Sequence, residues 1–238
     1  MAPAPRFSPA VQEQLIIDAA IEAIEQSSLL DFSMSKIAKL AGLSMGSVYK
    51  FVQCKEDVLI ALATKMYQKR QGIFKQVLSL PLTTPERIMA TSLLDYSKVY
   101  MYAFDDQLES MVNNRAVMNR CSPRWVEHMV SCGQACETIF NGFLTHAANT
   151  GELISNECEI EEICLGTWSL AVGYFHTVRI HKSWQNGVEE QDESTALEPD
   201  NVHIRSLQRL INTYNWQEPI TKEDIVKTCQ CLAEHGLR

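Results

Sequence analysis

The sequence lacks any apolar run near the roughly 18 uncharged residues that a membrane-spanning helix needs, so no membrane partner is expected. It has no G-x-x-x-x-G-K-[ST], no G-x-S-x-G, no H-E-x-x-H and no G-x-G-x-x-G. Phosphate-loop, nucleophile-elbow, zincin and dinucleotide chemistry therefore have no motif to stand on. Its carboxylate pairs, such as Glu161-Glu162 and Glu189-Glu190, read as solvated faces, and neither an enzyme nor a bound cofactor is expected. Alternating strand patterns and fixed-period repeats are missing, which excludes sheet and solenoid architectures. Positive charge is also short, because 21 Lys and Arg face 29 Asp and Glu.

What is present is enough for a core, at 46% hydrophobic residues in a chain of 238. The opening MAPAPRFSP has one Arg and no apolar run behind it, so a short flexible arm over 1–8 is expected rather than a signal peptide. Eight cysteines without an export signal suggest reduced thiols and a cytoplasmic, nucleoid-associated protein. Only Cys132-x3-Cys136 and Cys229-x-Cys231 lie close together, and neither has zinc-finger spacing. The charge is unevenly spread. Residues 1–70 hold 8 basic against 7 acidic residues, and 71–238 hold 13 against 22. A near-neutral head on an acidic body suits a protein that meets phosphate with one small surface.

That surface is legible between Ser33 and Lys55, SMSKIAKLAGLSMGSVYKFVQCK. Ser33 can cap a first short helix that carries Ile37 and the small Ala38 inward. Gly42 ends it in a left-handed turn, and Leu43 plugs the corner. Ser44 caps a second short helix with Val48 inward and Ser47, Tyr49 and Lys50 outward. Ala38, Gly42 and Val48 have the spacing of a helix-turn-helix that reads DNA.

The run Gly46 to Leu59, GSVYKFVQCKEDVL, resembles the signature of the tetracycline-repressor (TetR) family of transcriptional regulators, roughly G-[TS]-[LIV]-Y-x-[HY]-F-x-[SN]-K-[ED]-x-[LV]. The likeness covers about residues 9 to 65. It departs at Phe51 for the usual His or Tyr, at Val52 for Phe and at Cys54 for Ser or Asn. The resemblance implies an all-α fold: a three-helix head at 9–54, a connecting helix at 55–78, and a helical-bundle body at 79–238 for effector binding and dimerisation.

Along the rest of the chain, Ser8-Pro9 starts a bracing helix with Leu15, Ile16, Ala19, Ala20, Ala23 and Ile24 on one stripe. Pro81 and Pro85 break the chain after the connecting helix. A helix restarting at Thr84-Pro85 and running to Phe104 would set Tyr96, Tyr100 and Phe104 on one face. Residues 105–120 read as less regular helix. Ser122-Pro123 begins a long helix with Trp125, Met129, Cys132, Cys136, Ile139, Phe143 and Ala147 inward. A helix over 160–184 carries two apolar faces, one with Cys164, Trp168, Ala171, Phe175 and Val178, the other with Gly166, Leu170, Gly173, Thr177 and Ile180. A polar loop over 185–201 precedes two last helices at 202–214 and 222–236, the second with a capping box from Thr221 to Asp224.

The candidate DNA contacts follow from geometry, since residues near a reading helix's N-terminus reach base edges. Met45 offers an apolar surface to a thymine methyl, and Gly46 allows close approach. Ser47 and Tyr49 offer hydroxyls, and Lys50 a cation. Lys55 at a helix start suits a phosphate. Ser33, Lys36, Ser44 and Arg6 flank them. A head this small needs a partner one DNA turn away, so a homodimer on a palindromic operator is expected. The face Gly166, Leu170, Gly173, Thr177 and Ile180 is the candidate interface. The resemblance also implies a small-molecule effector. Tyr96, Tyr100, Phe104, Trp125, Met129, Trp168, Phe175 and His176 are candidate lining residues for an apolar or aromatic one. The expected function is a ligand-responsive repressor. Two other readings stay open: an effector-free architectural or division-linked DNA-binding protein, and a redox or metal sensor using Cys132 and Cys136 with His128, with no metal site assigned.

Overall fold

The computed structural model describes residues 7–154, 157–186 and 196–238, without the side chains of 157, 158, 179, 182, 183, 185 and 186. Residues 1–6 of the expected arm over 1–8, Arg6 among them, and much of the expected loop at 185–201 lie outside the described residues. Among those described, twelve α-helices and no strand occur, so the all-α expectation holds. One isolated bridge joins Leu153 and Trp216.

The chain forms two compact units. The first takes residues up to Lys69 and Tyr100–Gln134, the second Arg70–Val99 and Ala135–Arg238. This differs from the expected division after 54 and 78. The connecting helix contributes to both units, and a later segment returns to the head.

In the first unit, α1 (Pro9–Glu25) starts on Ser8, whose Oγ accepts the Val11 N–H, with Pro9 in the first turn. Its stripe Ile16, Ala19, Ala20, Ala23 and Ile24 is buried. Against it pack α2 (Met34–Ala41) and α3 (Met45–Phe51), with Ile37, Ala38 and Val48 inward. Gly42 between them has φ 63°, a conformation that a Cβ would strain. The first half of α4 (Lys55–Leu78) adds Val58, Leu59, Ile60, Leu62 and Met66 to the same core. The returning segment holds α7 (Asp105–Val112), α8 (Arg115–Met118) and the start of α9 (Pro123–Asn149).

The second unit holds α5 (Thr84–Leu93), the single-turn α6 (Tyr96–Val99), α10 (Glu157–Asn186), α11 (Val202–Ile211) and α12 (Lys222–Glu234). Its core joins Met89, Leu93, Leu144, Ile163, Ile204, Leu207 and Leu232. The capping box at Thr221–Asp224 is formed, and Thr83–Glu86 makes a second one on α5.

The expected helix from 84 to 104 is a correction. It stops at Leu93, because Leu94 turns to ψ 147° and the Asp95 N–H donates to the Leu237 carbonyl instead of continuing the ladder. Asp95 Oδ1 accepts the Ser97 N–H and opens the short turn α6. Tyr96, Tyr100 and Phe104 consequently share no helix face.

Candidate nucleic-acid interface and body cluster

The reading helix is built by two serine caps. Ser33 Oγ accepts the Lys36 N–H at 3.2 Å and starts α2. Ser44 Oγ accepts the Ser47 N–H at 3.1 Å and starts α3. Both hydroxyls are thus occupied in holding helix ends. With Val48 buried beneath, α3 turns Met45, Gly46, Tyr49 and Lys50 to solvent, while Ser47 is half-buried with its hydroxyl 3.0 Å from that of Ser44. Met45 and Tyr49 are 37% and 44% exposed, apolar area left open on a helix otherwise well anchored. A Cβ on Gly46 would meet only Ser44 Oγ at 3.8 Å, so the fold itself does not require glycine there. Its absence of a side chain leaves room for something outside the chain. Lys36 is exposed beside this surface. Lys55 is placed differently. Its Nζ donates to the Leu30 carbonyl at 3.2 Å and lies 5.0 Å from the Phe32 ring centroid, bracing the loop between α1 and α2.

The far end of α3 is held by a network that the sequence reading missed. Asp57 is fully buried. Its carboxylate accepts the Gln53 N–H at 2.8 Å, the Ser122 N–H at 2.7 Å and the Ser122 hydroxyl at 2.6 Å. Burial pushes this carboxyl up, but the hydrogen bonds from Ser122, Gln53 and Cys54 outweigh it and hold the carboxyl below its usual range. Cys54, standing where the family has Ser or Asn, keeps the capping role, since its Sγ accepts the Asp57 N–H at 3.4 Å. Phe51 spends its ring on Trp125, edge to face at 5.2 Å, and the Trp125 Nε1–H donates to the Phe51 carbonyl at 3.3 Å. The start of α9 thus clasps the end of the reading helix.

The candidate ligand residues are not brought together as one set. Trp125 and Phe104 are buried in the first unit, with Met129 packed against the same core. Phe104 stacks on Tyr102 at 5.1 Å, and the Tyr100 hydroxyl donates to Asp106 at 2.9 Å. In the second unit Tyr96 meets Phe175 at 4.5 Å. Trp168, expected inward with Phe175, is 66% exposed, and His176 is exposed too. Sequence reasoning also missed His203. It is 2% exposed, stacked on Tyr174 at 4.6 Å, with Nε2 3.1 Å from Ser92 Oγ. Burial pushes its pKa down to about 4, so it is neutral near pH 7, and its buried Nδ1 has no hydrogen-bond partner among the described residues.

The candidate interface face is divided between the unit's own core and solvent. Gly166 and Leu170 turn toward the unit's own core, where a Cβ on Gly166 would lie 3.6 Å from Leu210. Gly173 and Thr177 are exposed, and Ile180 is half-buried. The open apolar stripe is Leu165, Trp168 and Val172, with Trp184 further along. Among the described residues no three His, Cys, Asp or Glu are placed to hold a metal ion, His128, Cys132 and Cys136 included. Burial raises the thiols, Cys54 to about 11, Cys164 to about 11 and Cys121 to about 12, so they stay protonated near pH 7. That chemistry gives thiolate sensing no support.

A capped helix-turn-helix head carried with a second, larger helical unit defines the fold class. The chain has the fold of the TetR-family transcriptional regulators. It aligns with a protein described as a TetR-family transcriptional regulator from Mesorhizobium loti over 96% of this chain and 98% of that one, with a TM-score of 0.53 and 15% identity. It is also similar to the transcriptional regulator FadR from Bacillus subtilis, solved in complex with stearoyl-CoA. That likeness covers 72% of this chain and 89% of that one, with a TM-score of 0.51 and 21% identity. Over 59 residues, 25% of this chain, it is 41% identical to the fatty acid metabolism regulator protein of Bacillus subtilis (strain 168), and it spans 28% of that protein's length. No protein-family model matches the chain. No helix of the described residues is long and apolar enough to cross a membrane.

Proposed function

We propose that this chain is a transcriptional repressor that binds a palindromic operator as a homodimer and releases it when a long-chain fatty acyl-CoA binds the second unit. It acts in the cytoplasm, by binding rather than by catalysis. The observation that carries the DNA half is the exposed face of α3. Met45, Gly46, Tyr49 and Lys50 stand open on a helix anchored at both ends, as insertion into a major groove requires. Lys36 and the remaining N–H bonds of Lys55 take phosphates beside it, and Ser33, Ser44 and Ser47 set the helices that present them. Dimerisation uses the exposed face of α10.

The acyl-CoA class is supported by the 41% identity, over 59 residues, with a fatty acid metabolism regulator and by the stearoyl-CoA bound to the B. subtilis FadR. Within this chain, the Tyr96, Phe175, Tyr174 and His203 cluster supplies apolar surface with a buried polar tip. The test is fluorescence anisotropy of the protein on duplex DNA selected by the protein itself, titrated with stearoyl-CoA. Micromolar stearoyl-CoA is expected to release the DNA, with coenzyme A alone leaving it bound. A ligand shifts the equilibrium only by its differential affinity for the two states, so taking the DNA from about 90% bound to about 10% bound needs roughly an 80-fold preference. DNA that stays bound at saturating stearoyl-CoA contradicts the effector assignment.

A further inference from the structure

The first unit contains a cavity that neither the DNA surface nor the body cluster uses. It has a volume of about 180 Å³ and lies among α1, α4 and the start of α9. Its apolar lining comes from Ile17, Ala61 and Trp125, all buried. Its charged lining is Lys65, half-buried on α4, Arg124, exposed on α9, and Glu13, half-buried on α1. Arg124 lies over the Trp125 ring, 5.2 Å from its centroid, and over Phe51 at 5.9 Å. Neither Lys65 nor Arg124 forms an ion pair with a described carboxylate. Two cations and one carboxylate from another helix thus line a concave surface that also carries Thr64, Gln68 and His128.

We propose that this cavity is a second ligand site, for a small monoanion with a flat apolar body, such as an aryl carboxylate. The ring of such a ligand lies against Trp125 and Ile17, which gains apolar burial. The carboxylate is drawn to Lys65 and Arg124, and a guanidinium offers it two parallel N–H donors. Glu13 sets the limit of one negative charge, since a second would meet it across a space this small. The site is separate from the acyl effector's, because every lining residue belongs to the first unit. It touches the clasp on the reading helix, since Trp125 donates to the Phe51 carbonyl.

The test is isothermal titration of the full chain with benzoate, with benzyl alcohol and acetate as controls. Benzoate, with about nine non-hydrogen atoms, is expected to bind with a Kd of about 1 mM. Benzyl alcohol keeps the ring and loses the charge, and acetate keeps the charge and loses the ring. Each is expected to bind about tenfold more weakly. K65Q and R124Q are each expected to weaken benzoate about three- to tenfold, and E13Q to tighten it about threefold. The opposite sign of E13Q guards against reading a folding defect as loss of binding. Three results overturn the proposal: no benzoate heat up to about 20 mM, equal affinity in all four proteins, or benzyl alcohol binding as tightly as benzoate. Equal affinity would place any bound benzoate elsewhere on the chain.

Discussion

Asp57→Ala is expected to lower the stability of the first unit by about 3 kcal/mol, roughly 1 for each donor left without a partner. The donors are the Gln53 N–H, the Ser122 N–H and the Ser122 hydroxyl, all on one buried carboxylate. For a unit of this size that loss lowers Tm by about 15 °C. Asp57→Asn is expected to cost less, because its amide oxygen still accepts. The acid dependence has a definite sign. The folded carboxyl lies below its ordinary value of 3.8. Its contribution is therefore fully present above about pH 4 and is lost as pH falls through the folded value. The gap in Tm between wild type and Asp57→Ala is accordingly expected to narrow below pH 4. Denaturation followed by circular dichroism at pH 7 and pH 3 measures both. A variant melting with the wild type at pH 7 would show that the clasp between α3, α4 and α9 contributes nothing.

Trp168→Glu is expected to convert the proposed dimer to monomer with the fold intact. Trp168 is 66% exposed on α10, flanked by Leu165 and Val172 at 55% and 51%, so a charge there meets water in the monomer. Its thermal stability as a subunit should stay within about 0.5 kcal/mol. In an interface the same change removes an aromatic anchor and buries an unpaired charge, which raises the dimer Kd by about 100-fold or more. Leu170→Glu separates the two faces of the helix. Leu170 packs against the core of its own unit, so this change should unfold the second unit rather than merely dissociate the dimer. Analytical ultracentrifugation of both variants decides it. A dimeric Trp168→Glu protein would remove α10's open face from the interface.

The head was the legible part of the chain because its determinants are local. Ser33, Gly42 and Ser44 act on backbone groups within a few residues, so their spacing alone announces two helices and the corner between them. The starts of α1 and α9 follow from Ser-Pro pairs and apolar stripes in the same way. What the sequence could not carry is distance. Asp57 looks like an ordinary acid in a helix's first turn, and its partner Ser122 lies 65 residues away. Trp125 has the look of a ligand-lining aromatic, but its indole N–H closes onto Phe51.

The break at Leu94 was hidden for a related reason. The apolar period runs on through Tyr96 and Tyr100, and the rival partner for the Asp95 N–H is a carbonyl at Leu237. A local signal did exist, since Asp95 two residues before Ser97 can open a turn through its side chain. On α10 the apolar residues surround too much of the helix for period alone to say which face is covered. Leu210, reaching Gly166, covers the first part of the glycine face, while Gly173 and Thr177 further along stay exposed.

The measurement that bears most directly on the central claim is selection of DNA by the full chain from a random duplex pool, repeated with Tyr49→Ala. Wild type is expected to enrich an inverted repeat whose half-sites are centred about 34 Å apart, one helical turn. Tyr49→Ala, exposed and remote from the core, should keep the fold and lose the enrichment while retaining weak, salt-sensitive binding. A wild-type protein that enriches no sequence, or a Tyr49→Ala protein that enriches the same repeat equally well, would contradict the assignment of α3 as the reading helix.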